Sequence, residues 1–213
     1  MTERVPCTSC GTSILPATAK ATGGVCMPCK KRGGPPEQSE IVRRAHATPA
    51  RCLLPFTIRA DGALVSELDQ RIENTRFKLA CTCGSHTFTI LGYPMKSPAY
   101  PDTDIFAAPV VLRCTACGSE ERLFDPKIDG YDGEIDSSAG VIGTGKPAAY
   151  VCKSCSQSVF DVAVSLEYSV EDEEMDDWDE LAERPQDFFT WFSLYGKCVG
   201  CGKLSDVTDY ECA

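Results

Sequence analysis

The clearest pattern of apolar and polar positions lies at residues 158–170, SVFDVAVSLEYSV. Phe160, Val162, Val164, Leu166, Tyr168 and Val170 take every second place, and Asp161, Ser165, Glu167 and Ser169 alternate with them. A period of two predicts an antiparallel strand with one face in the core and one in water. HTFTILGY (86–93) and APVVLRC (108–114) read as two further strands. Between them PMKSPAYPDTDI (94–105) reads as a loop because of its three prolines. SELDQRIENTRFKLA (66–80) predicts a helix capped by Ser66, with Asp69 three residues on, although Leu68, Ile72, Phe77 and Leu79 leave its apolar face incomplete. EDEEMDDWDELAERP (171–185) predicts a second helix, because Met175, Trp178 and Leu181 recur at three-residue steps and Pro185 stops it.

Cysteine usage changes this picture most. The 213-residue chain has fourteen cysteines, and twelve fall in tight pairs: Cys7/Cys10, Cys26/Cys29, Cys81/Cys83, Cys114/Cys117, Cys152/Cys155 and Cys198/Cys201. No apolar run approaches the roughly 18–20 residues that span a bilayer, and MTERVPCTSC lacks the form of a secretory signal, so a cytosolic location is expected. Reducing conditions disfavour a disulfide framework and turn the pairs toward metal or redox chemistry.

Two cysteines on one tight turn place both sulfurs on one side of a metal, and a second such turn closes a tetrahedron around zinc. The residue after the second cysteine needs positive φ, which Gly11, Gly84, Gly118 and Gly202 supply in four knuckles; Lys30 and Ser156 stand there in the other two. Six pairs make three four-cysteine sites. In chain order Cys7/Cys10 joins Cys26/Cys29, Cys81/Cys83 joins Cys114/Cys117, and Cys152/Cys155 joins Cys198/Cys201; interleaving the last four knuckles satisfies the spacing equally. A thioredoxin-like dithiol is the competing reading of one CxxC, but strand-like flanks and six repeats fit it poorly. Closed four-thiolate sites leave no position for substrate, so three structural zinc ions per chain are expected. Cys52 and Cys212 stand alone, read as a small buried hydrophobe and a spare thiol near a frayed end.

Residues 1–32 read as a self-contained finger and 33–50, opening with GGPPEQSE, as a linker. Residues 51–213 read as a β-rich domain with ribbon-like units at about 77–124 and 148–213, since strands running into and out of CxxC turns are what zinc ribbons use. The expected class is thus a β-rich α+β fold: a small finger followed by two zinc-ribbon-like units over one core. CTSCGTSILPATAKATGGVCMPCKK resembles the four-cysteine finger of DksA/TraR-type proteins, with Gly11 after the second ligand, Ile14, and a closing CxxC followed by lysine. The resemblance covers about 25 residues and implies the finger fold with Cys7, Cys10, Cys26 and Cys29 as ligands. Its inter-pair loop is shorter and no long antiparallel helix pair precedes it, so polymerase regulation is not implied. The chain is also similar to bacterial zinc-ribbon proteins, some of them encoded beside toxins.

Charge separates along the chain. Residues 1–51 carry 8 Lys+Arg against 3 Asp+Glu, residues 52–150 carry 9 against 13, and residues 151–213 carry 4 against 15, within a net charge of −10. Glu171, Asp172, Glu173, Glu174, Asp176, Asp177, Asp179 and Glu180 crowd around Trp178. Such a run is either a solvated helix face or a docking surface for a basic partner, with Trp178 as an anchor. Phosphate contact is expected only from the basic head, and weakly.

GVIGTGK (140–146) has P-loop spacing, but Pro147 replaces the Ser or Thr that would meet magnesium, so it reads as a glycine loop. DPKIDGYDGEID (125–136) lacks calcium-loop spacing. His46 and His86 are the only histidines and neither belongs to a triad pattern; His86 reads as a strand-surface residue or a hydrogen-bond donor near zinc. With no catalytic constellation, the expectation is a non-enzymatic zinc protein that binds a basic protein partner, most concretely as an inhibitor or immunity protein for a cationic toxin. The alternative is a nucleic-acid-associated or transcription-accessory factor acting through the finger.

Overall fold

The structure, a computed structural model, describes residues 4–8, 12–24, 40–59, 74–130, 141–168 and 184–212. The chain divides into two compact units, Met1–Gln38 and Ser39–Ala213.

In the first unit β1 (Val5–Pro6) pairs antiparallel with β2 (Ser13–Ile14). Helix α1 (Pro16–Thr22) follows, with Pro16 in its first turn, where no N–H is needed, and Gly23 closing it at φ 69°. Cys7 and Ile14 are buried together, with Val5 and Ala19 against them.

The second unit begins with α2 (Glu40–Ala47), which falls inside the stretch read as a linker and buries Ala45 in the unit's core. A 3-10 turn (Arg51–Leu53) and β3 (Thr57–Arg59) lead to β4 (Asn74–Ala80). The helix expected over 66–80 is therefore corrected at 74–80; residues 66–73 lie outside the described residues. Thr75, Phe77 and Leu79 are buried at alternate positions, and β4 pairs with β3 on one edge and with β9 (Phe160–Glu167) on the other. Ladder bonds on both sides hold the segment extended whatever its helix propensity.

The remaining strands are β5 (Thr87–Lys96), β6 (Asp104–Cys114), β7 (Glu120–Phe124), β8 (Ala148–Ala149), β10 (Trp191–Cys198) and β11 (Leu204–Glu211). All from β3 onward belong to one nine-stranded sheet, through which the main path runs β11-β10-β9-β5-β6-β7. Strands β5 and β6 extend into the stretch expected as loop. Pro94 sits within β5, past Gly92, the last residue that pairs with β8 among the described residues, where an open edge tolerates a missing N–H. Strand β9 forms where its period of two predicts, yet Ala163 and Ser165 of the expected wet face are buried too. The reason is its central place, with β10 along one edge and β4 and then β5 along the other.

The strands repeat. β4, a cysteine turn, β5, β6, a cysteine turn and β7 match β8, a cysteine turn, β9, β10, a cysteine turn and β11. The equivalent strands β5 and β9 pair with each other at Thr87↔Asp161 and Phe88↔Phe160. Each ribbon thus has a three-stranded antiparallel unit, joined to its counterpart at the starts of β5 and β9, by β4 along β9 and by β8 along β5. The sheet curls so that the ribbons share one core: Phe124 of β7 stacks on Phe192 of β10 at 4.1 Å. Tyr210 of β11 accepts a hydrogen bond from the buried Ala108 amide of β6 (2.6 Å) and donates one to the Val141 carbonyl (2.9 Å). That last bond pins the P-loop look-alike: the Gly143 amide also donates to the Ala108 carbonyl at 2.7 Å, and a Cβ there would come within 2.2 Å of Tyr93. Close packing against a ring, not phosphate binding, is what this glycine serves.

Candidate metal centres

The four cysteine turns of the second unit are built by similar backbone bonds. The amide of the first cysteine donates five residues ahead in Cys114→Ser119 (2.8 Å), Cys152→Gln157 (2.8 Å) and Cys198→Lys203 (2.9 Å). It donates four ahead in the shorter CTC turn, Cys81→Ser85 (2.7 Å). The residue after the second cysteine is left-handed in all four: Gly84 at φ 90°, Gly118 at 77°, Gly202 at 73°, and Ser156, with no glycine to ease it, at 61°. These turns leave both sulfurs facing one point.

Two quartets result, Cys81/Cys83/Cys114/Cys117 and Cys152/Cys155/Cys198/Cys201, with all four Sγ atoms of each within 4.8 Å of one another. This is the chain-order pairing; the interleaved one is not formed. The cross-pair Sγ···Sγ distances are 3.6 Å for Cys81–Cys117 and Cys83–Cys114, 3.7 Å for Cys152–Cys201 and 3.4 Å for Cys155–Cys198. A tetrahedral ion bound to thiolates at about 2.3 Å needs sulfurs about 3.8 Å apart, so both quartets could hold a metal ion such as zinc. The first cysteine of every turn is buried, and the second is exposed or half-exposed.

Alone, the thiols divide their protons unequally, in the same way in both quartets. Backbone N–H donation, first at Cys83, and then the Ser119 hydroxyl pull Cys81 down to about 6. Backbone N–H donation at Ser154 does the most to bring Cys152 to about 6 as well. Cys83 also has a backbone N–H favouring its thiolate, at Ser85, but the crowding of Cys81, Cys114 and Cys117 outweighs it and pushes the thiol up to about 12. Cys155, in the matching place, rises to about 12 for the same reason. Four sulfurs this close cannot all ionise without a cation among them.

In the first unit Cys7 is buried and its amide donates to the Thr12 carbonyl (2.8 Å), the same five-residue turn. The Thr8 amide donates to the Gly24 carbonyl (2.9 Å), tying this turn to the segment that enters the second pair. Cys10, Cys26 and Cys29 lie outside the described residues, as do Glu171, Asp172, Glu173, Glu174, Asp176, Asp177, Trp178, Asp179 and Glu180.

The two points where the acidic segment leaves and rejoins the sheet are described. Tyr168, 1% exposed at the end of β9, donates its hydroxyl to the Gln186 carbonyl at 2.8 Å. Arg184 and Asp187 pair at 2.7 Å, Asp187 accepts the Arg51 amide at 2.7 Å, and Arg184 donates to the Pro49 carbonyl at 3.1 Å. Both ends are thus held by the core and by the turn at 51–53.

Cys52 is buried as expected. Cys212 is not at a frayed end: it is 2% exposed, its amide donates to the Thr190 carbonyl, and desolvation first, then the charge of Asp129, pushes its thiol up to about 12. His86 is exposed at the start of β5.

The repeat is the feature that cysteine spacing alone missed. Its signal was present: Phe88 stands five residues after Cys83 and Phe160 five after Cys155. No helix among the described residues is long and apolar enough to cross a membrane. No family model matches the chain, and neither a curated protein nor a solved structure matches it.

Proposed function

We propose that this chain is a non-enzymatic module, held together by structural zinc, that binds a basic protein partner through the acidic segment 171–180. Its most concrete form is an inhibitor or immunity protein for a cationic toxin. Both quartets are closed sets of four thiols, so a bound zinc keeps no position for substrate and acts on the fold. Cys7, with the same turn as the ribbon cysteines, supports a third such site with Cys10, Cys26 and Cys29.

One observation carries the functional reading. In the first ribbon β5 and β6 are joined by residues 97–103, whereas in the second β9 and β10 are joined by residues 168–190. The second connection holds 169–183, with nine acids and no base. The first ribbon closes its hairpin without any such segment, so the scaffold does not need it. Long insertions at a rigid hairpin end are where binding residues concentrate. Anchored ends, at Tyr168–Gln186 and Arg184–Asp187, lower the ordering cost of association. A nucleic-acid role for the basic head is the second reading, favoured by its 8 Lys+Arg against 3 Asp+Glu.

The test replaces 169–183 with a short turn copied from 97–103. The swapped chain should keep its zinc, close to three ions per chain by elemental analysis, and lose salt-sensitive binding to cationic nucleases that the native chain captures in surface plasmon resonance. Equal binding by both chains refutes the docking role. Gel shifts with DNA and RNA on the full chain, and on one with Lys30, Lys31 and Arg32 replaced by Gln, decide the second reading.

A further inference from the structure

We infer that the two ribbon centres load with metal cooperatively, coupled through one rung of the sheet. The inference rests on the zinc reading above. Phe88 pairs with Cys114 across β5–β6 and with Phe160 across β5–β9, and Phe160 pairs with Cys198 across β9–β10. Cys114, Phe88, Phe160 and Cys198 therefore form one continuous line from a ligand of one quartet to a ligand of the other.

The rung is doubly fastened. In the first ribbon Thr115, which follows ligand Cys114, donates its amide to the Thr87 carbonyl (3.1 Å) beside Phe88. In the second Val199, which follows Cys198, donates its amide to the Val159 carbonyl (3.0 Å) beside Phe160. Each pair of ligands is thereby tied to the residue preceding its central phenylalanine. Phe88 and Phe160 are 1% and 0% exposed, and a Cβ on Gly196, next but one to Cys198, would already meet Phe160 at 3.0 Å. Both phenylalanines of the line are thus closely packed.

Metal binding at either quartet fixes its two cysteine turns and the strand ends they join. The β5–β9 rung at Thr87↔Asp161 and Phe88↔Phe160 is flanked by β4 along β9 and β8 along β5, so ordering either end sets these pairings and with them the start of the other ribbon. The ordering cost falls on the first ion, and the second finds its strands paired. Charge opposes this only slightly. The ligands Cys114 and Cys198 lie three strand spacings apart along this rung, about 14 Å, and for two centres of net −2 at that scale repulsion at physiological salt is worth less than about twofold in affinity. Ordering therefore decides the sign, with a coupling of about 16-fold, inside the usual range for linked sites.

The experiment uses the full chain with Cys26→Ser and Cys29→Ser, which silences the candidate site of the first unit and leaves both ribbons native. The metal-free protein is titrated with zinc, and native mass spectrometry counts ions per chain. Independent equal sites put half of the molecules in the one-ion state at half saturation; 16-fold coupling leaves about a fifth. A one-ion population of half or more overturns the inference while leaving the zinc reading intact. A chain that takes up no zinc overturns both. As a second measurement, Cys114→Ser with Cys117→Ser should lower zinc affinity at the untouched second quartet about tenfold, read by chelator competition; an unchanged affinity refutes the coupling.

Discussion

Removing one oxygen atom, in Tyr210→Phe, probes the closure of the curled sheet. The Tyr210 hydroxyl links β11 to the Ala108 amide of β6, at 2.6 Å, and it also donates to the Val141 carbonyl at 2.9 Å. Ala108 is 0% exposed, so its N–H has no water to turn to once the hydroxyl is gone. Leaving a buried donor unsatisfied costs about 1–3 kcal/mol. The half-buried Val141 carbonyl can recruit water and adds little. The ring stays, still 5.3 Å from Phe124, so no cavity term enters. The sum is about 2 kcal/mol, which in a unit of this size lowers the melting temperature by roughly 4–8 °C. Calorimetry at fixed free zinc measures the shift, and hydrogen exchange at Ala108 should accelerate about 30-fold, the factor that about 2 kcal/mol corresponds to. A shift below about 1 °C with unchanged exchange would refute the claim that this hydroxyl holds the two ribbons together.

Asp129 gives a pH signature. Its side chain is 6% exposed and its carboxyl is raised above the ordinary value, by desolvation first and then, against the Asp125 amide and Arg122, by Asp125 and Asp187. A raised folded pKa means the folded state holds the proton longer, so stability falls as pH rises from about 4 through the folded value and is flat above it. Asp129→Asn keeps an acceptor for the Asp125 amide and should be more stable than the native chain at pH 7 by a few tenths to about 1 kcal/mol, with the gap closing near pH 4. Urea titrations at both pH values check this; a variant equally destabilised at both would sink it. Ser156 holds a left-handed φ of 61° that glycine adopts without strain, so Ser156→Gly should gain roughly 0.5–1 kcal/mol and slow zinc loss to a chelator. Faster loss would show that the serine side chain serves the turn.

The quartets were legible because their geometry is local: two sulfurs on one turn, then the simplest pairing of turns. The strand at 160–167 was legible for the same reason, since six apolar residues alternate without a break. Its burial on both faces was not, because that depends on β4 and β5 lying in succession along one edge, a fact of topology. Residues 74–80 misled for want of length: Thr75, Phe77 and Leu79 alternate over too few positions to outweigh a cap signal at Ser66. Pro94 misled because a proline is read as a breaker unless the open edge beside it is known. The hydroxyl bonds of Tyr168 to Gln186 and of Tyr210 to Ala108 carried no signal, since each reaches a partner 18 to about 100 residues away.

Charge bears on the choice of partner more than the bare sequence suggests. The formal −10 counts every cysteine as neutral. A zinc ion held by four thiolates is a centre of net −2, so loading both ribbons takes the chain to about −14. In sequence, Lys153, Lys197 and Lys203 lie next to or two residues from ligands of the second quartet, and Arg113 lies next to one of the first. Arg113 is further committed to Glu120 at 2.6 Å. The acids of 171–180 have no cation within their segment. Metal loading would therefore add to the negative field that the proposed basic partner meets, and the association rate should fall with salt more steeply for the zinc-loaded chain than for the metal-free chain.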